Sequence, residues 1–197
     1  MSWYEELAGR APDPVAAWLG IEEERFLSVR REVRKRAGPG SAGPIAEQLG
    51  GLADALSEIV RELPEDVFRA PGGEEDWNVA QAIGHDADAR AGLSMAGALA
   101  AQGRFPPDAA AVVPGVAGPP EASREALLRR IAVSQRVVER SARSIAGHET
   151  WPCPLVHPWV GRLRCGEWLL FAGVHDLMHL EQLHNLRASF ASERVRR

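Results

Sequence analysis

The stretch of this chain best suited to chemistry is His175-Asp176-Leu177-Met178-His179-Leu180-Glu181-Gln182, which sets two imidazoles four residues apart. In a helix, positions i and i+4 fall within roughly 40° of each other, one turn apart on the same face. Two histidines so spaced can turn ring nitrogens toward one divalent ion, as half of many zinc sites do. Gln182 returns to the same stripe. Asp176 lies off it, where it either orients a ligand or faces solvent. Two imidazoles are an incomplete site, so a third donor must come from another element.

Apolar spacing is helical nearly throughout, and strand alternation is absent. Asp13-Pro14 has the form of an N-cap followed by a first helical proline. Val15, Trp18, Leu19, Phe26, Val29 and Val33 follow at helical spacing up to Gly38-Pro39-Gly40. Charges in that segment run from Glu22-Glu23-Glu24 to Arg34-Lys35-Arg36, complementing the helix dipole and leaving a solvated basic end. A second helix is predicted from about Pro44 to Leu63, closed by Pro64. A third begins at Asn78-Val79-Ala80-Gln81, a capping-box pattern, and reaches about Gln102. Residues 103–120 are rich in proline (Pro106, Pro107, Pro114, Pro119, Pro120) and read as a long functional or mobile loop. A fourth helix spans about Ser123 to Ala146. The segment Gly147–Cys165, broken by Pro152, Pro154, Pro158 and Gly161, reads as irregular. The last helix starts near Gly166 and carries the histidine pair. Four long helices after a helical extension make an all-α protein, a four-helix bundle at residues 41–197 preceded by residues 1–40.

In a bundle, sites are built from side chains on facing helices. Of the six histidines, His85 lies two turns into the well-capped third helix. His148 follows a helix end, His157 falls among prolines, and His184 is about 140° round the helix from His179. The proposed metal ligands are therefore His85, His175 and His179. Cys153, His157 and Cys165 lack Cys-x-x-Cys spacing and a clear fourth donor, so they make a weak zinc site. Glu181-x-x-His184 imitates half of a di-iron motif but has no second copy.

The chain has 197 residues, a formal net charge of -4 and dispersed basic residues, so no concentrated basic face exists for nucleic acid. No apolar run reaches membrane-span length, and the acidic N-terminus does not have the form of a signal peptide. Two cysteines are too few for a disulfide framework. The expectation is a cytoplasmic protein without a membrane or nucleic-acid partner, with reduced thiols.

Around the three histidines the sequence resembles the DinB-like (DinB/YfiT) four-helix-bundle metalloproteins. The resemblance rests on Trp77-Asn78-Val79-Ala80-Gln81-Ala82-Ile83-Gly84-His85-Asp86-Ala87-Asp88, on His175, His179 and Gln182, and on His157-Pro158-Trp159-Val160-Gly161-Arg162-Leu163 with Glu167-Trp168. It covers about residues 43–190. There are two departures: Leu180-Glu181 stands where many members have Arg-Gly, and Arg90 stands where a carboxylate often follows the first histidine. Both positions are expected at the pocket rim.

The resemblance implies a divalent metal, zinc or nickel, on the three imidazoles with an open position for water or substrate. It also implies an enzyme acting on a small-molecule substrate. The leading expectation is thiol-S-transferase chemistry, with bacillithiol or mycothiol as cosubstrate and neither cysteine of the chain as nucleophile. The alternatives are a hydrolase that activates water on the metal, and a non-catalytic stress-associated binder of metal or small molecules. Gln182, Asp176, His157 and Trp159 are candidates for the pocket or for holding the ligands. The amphipathic stripe Val15–Val33 must be buried, against the bundle or across a homodimer.

Overall fold

The computed structural model describes residues 3–22, 25–72, 76–108 and 115–195, with side chains omitted at residues 25, 26 and 191–195. Glu23, Glu24, the Phe26 side chain and Pro114 therefore lie outside the described residues. Seven helices occur among those described: α1 (Trp3–Ala8), α2 (Pro12–Leu19), α3 (Arg25–Arg36), α4 (Ala42–Glu62), α5 (Val79–Ala101), α6 (Arg124–Ile145) and α7 (Cys165–Val195).

The bundle helices α4 to α7 match the apolar periods of the sequence. α5 starts on a complete capping box, in which the Asn78 side chain accepts from Gln81 N–H while the Gln81 side chain accepts from Asn78 N–H. α6 starts on Ser123, whose side chain accepts from Ala126 N–H. Both caps satisfy amide donors that a helix start otherwise leaves orphaned. α5 and α7 pack along each other, and α5 also packs on α6; α4 lies against α6 and α7. The core runs between them, from Leu49, Leu93, Ile145 and Trp168 at one end to Leu56, Phe68, Ile83, Leu127 and Leu180 at the other. Among the described residues, no helix is long and apolar enough to cross a membrane.

Three sequence expectations change. The segment from residue 13 to 36 is two helices, not one. α2 ends at Gly20, and the chain returns so that the Glu32 side chain packs where a Cβ on Gly20 would sit, 2.8 Å away. Asp13 is not the cap either: Ala11 holds that position without a side-chain bond. Instead Asp13 N–H donates to Gln48 Oε1, and Gln48 Nε2 donates back to Asp13 Oδ2, fastening α2 to α4. The extension buries Val15, Val29 and Val33 in the cores of the bundle, while Leu19 stays exposed.

Second, the basic end of α3 is partnered rather than simply solvated. Lys35, Arg36 and Arg31 converge on the buried Glu32, and Arg34 pairs with the buried Glu167 of α7 at 2.7 Å. Hydrogen bonds from Lys35 and Arg36 outweigh burial and hold the Glu32 carboxyl down at about 2.

Third, the segment read as irregular contains an antiparallel hairpin, β1 (Pro152–His157) and β2 (Gly161–Arg164). Its prolines mask the strand signal. Pro152 opens the strand, and Pro154 lies in the stretch of irregular register between Pro152 and Val156, where a missing N–H is tolerated. Gly161, at φ +69°, turns the chain back beside His157.

Candidate metal centre

His85 projects from α5, and His175 and His179 from the facing side of α7. The three rings meet with centroids 4.7 to 5.3 Å apart. One nitrogen from each lies within 4.8 Å of the other two. His175 and His179 are buried, and His85 is half-buried with its ring against Trp77.

The remaining nitrogen of each ring is held by an acceptor from a different source. His175 Nδ1 lies 3.2 Å from Asp86 Oδ1. His179 Nδ1 lies 2.8 Å from Gln182 Oε1, and the Gln182 amide nitrogen in turn donates to the Gly72 carbonyl. His85 Nδ1 lies 2.9 Å from the Val116 carbonyl oxygen. A carbonyl or carboxylate oxygen can only accept, and the Gln182 amide is oriented by its own donation, so all three Nδ1 atoms carry the proton. The lone pairs then reside on the Nε2 atoms. This is how histidine ligands are usually oriented in metal sites. Burial also disfavours a proton on His175 more than Asp86 favours one, so its pKa is lowered and the ring is kept neutral. The donor set therefore fits a divalent ion of the borderline type that imidazole binds.

Asp86 was given no role from the sequence, yet it is fully buried and holds a ligand candidate. Its place beside His85 offers a clue, since a carboxylate buried in an alanine-rich stretch needs a partner. Burial opposes its ionisation, but the hydrogen bond from His175 and the nearby His179 and Arg90 prevail and lower its pKa. The Val116 and Gly72 carbonyls carry no sequence signal, because every residue has one.

Arg90 is not at the pocket rim. It is fully buried in the bundle centre, where its side chain reaches Asp176 on α7 (3.0 Å), Ser134 and Gln135 on α6, and the Leu49 carbonyl on α4. In the other departure, Leu180 is not at the rim but buried in the core, and Glu181 is exposed on α7. Asp176 does not face solvent; it is buried against Arg90. Burial drives its carboxyl well above the ordinary value, against the pull of Arg90 and with the added repulsion of Asp86.

His157, on β1, packs over Phe171, one turn before His175 on α7, and accepts from Trp159 N–H at Nδ1. Burial, with a smaller contribution from His175, lowers its pKa to about 4. Trp159 is exposed beside it, and Trp168 is a fully buried anchor of the core. His148 contacts Trp151 and His184 stacks on Trp3, so neither is in the cluster. Cys153 and Cys165 are buried free thiols.

Comparison with known families matches residues 48–183, more than half of the chain, to the DinB superfamily. That span includes His85, His175 and His179. No curated protein and no solved structure gave a match.

Proposed function

The chain belongs to the DinB superfamily, and we propose that it is a divalent-metal-dependent enzyme that activates a low-molecular-weight thiol for transfer to a small electrophile. The observation that carries this reading is the uniform orientation of the cluster: three imidazoles, each donating from Nδ1 to an acceptor oxygen, keep their lone pairs on Nε2 within a group whose nitrogens meet within 4.8 Å. Three neutral ligands leave the charge of a divalent ion uncompensated, which favours an anion in the open position. An ion held there would supply the Lewis acidity that lowers the pKa of a thiol or of water.

One further feature favours a thiol over water. Asp86 is engaged with His175 and Asp176 with Arg90, so neither is placed as a general base for water. The sulfur would come from a cosubstrate, because burial raises the pKa of both cysteines, Cys165 to about 12. His157 and Trp159 are proposed to border the substrate side, and zinc or nickel is the proposed ion.

Elemental analysis of wild type against His179→Ala tests the metal, with a stoichiometric divalent ion expected in the wild type alone. Bacillithiol or mycothiol with an electrophile, incubated with the loaded protein, then tests the reaction. A thioether conjugate is the expected product. Hydrolysis of ester or amide probes instead would assign the site to water activation, and tight binding without turnover would make the protein a binder.

A further inference from the structure

The long proline-rich loop supplies one of the three acceptors, and it reaches α5 through a close approach that only glycine allows. Gly118 lies against Gly84, one residue before His85. A Cβ on Gly118 would meet Gly84 Cα at 2.6 Å and the Gln81 carbonyl at 2.7 Å. A Cβ on Gly84 would meet Gly118 Cα and Pro119 Cδ, each at 3.0 Å. At this crossing Gly118 N–H donates to the Gln81 carbonyl at 3.0 Å. Asn78 Nδ2 donates to the Pro120 carbonyl two residues further on. Two residues before Gly118, the Val116 carbonyl receives His85 Nδ1.

We propose that Gly84 and Gly118 are positioning residues for the metal centre: their backbone contact holds the Val116 carbonyl against His85 Nδ1, and so fixes the tautomer and direction of that imidazole. Residues 115–120 are then part of the centre although they contribute no ligand. Linkage makes the relation reciprocal, since whatever the docked loop adds to ion affinity, the ion adds to loop docking. The Val116 side chain points outward and is exposed, so the contact depends on the backbone and not on that residue's identity.

The proposal rests on the metal reading above, and its test separates the two. Gly118→Ala, Gly84→Ala and Gly92→Ala form a graded series, because a Cβ on Gly92, also in α5, meets nothing within 4 Å. Zinc titration should show a loss of affinity of roughly 10- to 100-fold for Gly118→Ala, a smaller loss for Gly84→Ala, and none for Gly92→Ala. In the metal-free proteins, imidazole nitrogen NMR should show the His85 Nδ1–H of the wild type weakened in Gly118→Ala and kept in Gly92→Ala. Proteolysis within residues 115–120 should be slowed by zinc in the wild type and less so in Gly118→Ala.

Wild-type zinc affinity together with an unchanged His85 signal in both Gly118→Ala and Gly84→Ala would overturn the proposal. If the wild type takes up no zinc, the metal reading falls, and the metal-free His85 spectrum still decides whether the crossing sets the tautomer.

Discussion

Two buried polar groups sit about a turn apart on the same pair of helices and are finished in opposite ways. Around Arg90 the donors stay within the bundle: the guanidinium donates to Asp176, Ser134, Gln135 and the Leu49 carbonyl, joining all four bundle helices. Around His85, His175 and His179 each ring is held at Nδ1, and one nitrogen of each lies within 4.8 Å of the other two. Asp86 stands between the two, accepting from His175 and lying near Arg90. Polar groups in a core must be satisfied, because an unpaired one costs on the order of 1–3 kcal/mol. A cluster whose rings are each held from one side while a nitrogen of each converges on the others is therefore built to take a further partner, and one whose donors reach three other helices is built to hold the fold.

Substituting Arg90 should give the largest effect if that distinction holds. Arg90→Met strands the buried Asp86 and Asp176 carboxyls and should cost roughly 3–5 kcal/mol in denaturant unfolding. Combining it with Asp176→Leu should restore part of that loss. A small effect for the single variant would mean that the centre of the bundle does not depend on its closed network.

Gln182→Ala acts on the open side. It removes the acceptor that orients His179 and leaves the core unchanged. The expected result is a drop in zinc affinity of about 10-fold or more, with the unfolding midpoint of the metal-free protein nearly unchanged. A large loss of stability without loss of affinity would place Gln182 with Arg90 among the purely structural groups.

The smallest effect is in the pH response of the metal-free protein. His157, pushed down to about 4 from the ordinary 6.5 of an imidazole, stays neutral in the native state while the unfolded chain takes up a proton. Stability is therefore full above about 6.5 and falls as the pH is lowered toward 4. His157→Phe should flatten that slope, read as a smaller fall in melting temperature between pH 7 and pH 4.5. An unchanged slope would show that other groups carry the acid sensitivity.

Much of this was legible in the residues. The i, i+4 spacing of His175 and His179 fixes a shared face once the segment is helical, and Asn78…Gln81 fixes where the helix bearing His85 begins. The hairpin was not legible, because Pro152 and Pro154 read as breakers, and the irregular register that tolerates Pro154 is a property of strand pairing. Arg90 was misplaced because helical periodicity shows which residues share a face. It does not show that three other helices offer acceptors at one height.

The sequence by itself determined the four bundle helices, the capping box of α5 and the shared helix face of His175 and His179, since these follow from local spacing and backbone chemistry. Only the tertiary structure decided how each imidazole is held: by a carboxylate on the facing helix, by a glutamine fixed to the Gly72 carbonyl, and by a loop carbonyl brought in over two glycines. Those acceptors lie as far apart in sequence as Gly72 and Gln182, and two of the anchors are backbone carbonyls that every residue possesses. No residue type signals them, so only the folded chain selects which ones reach the site.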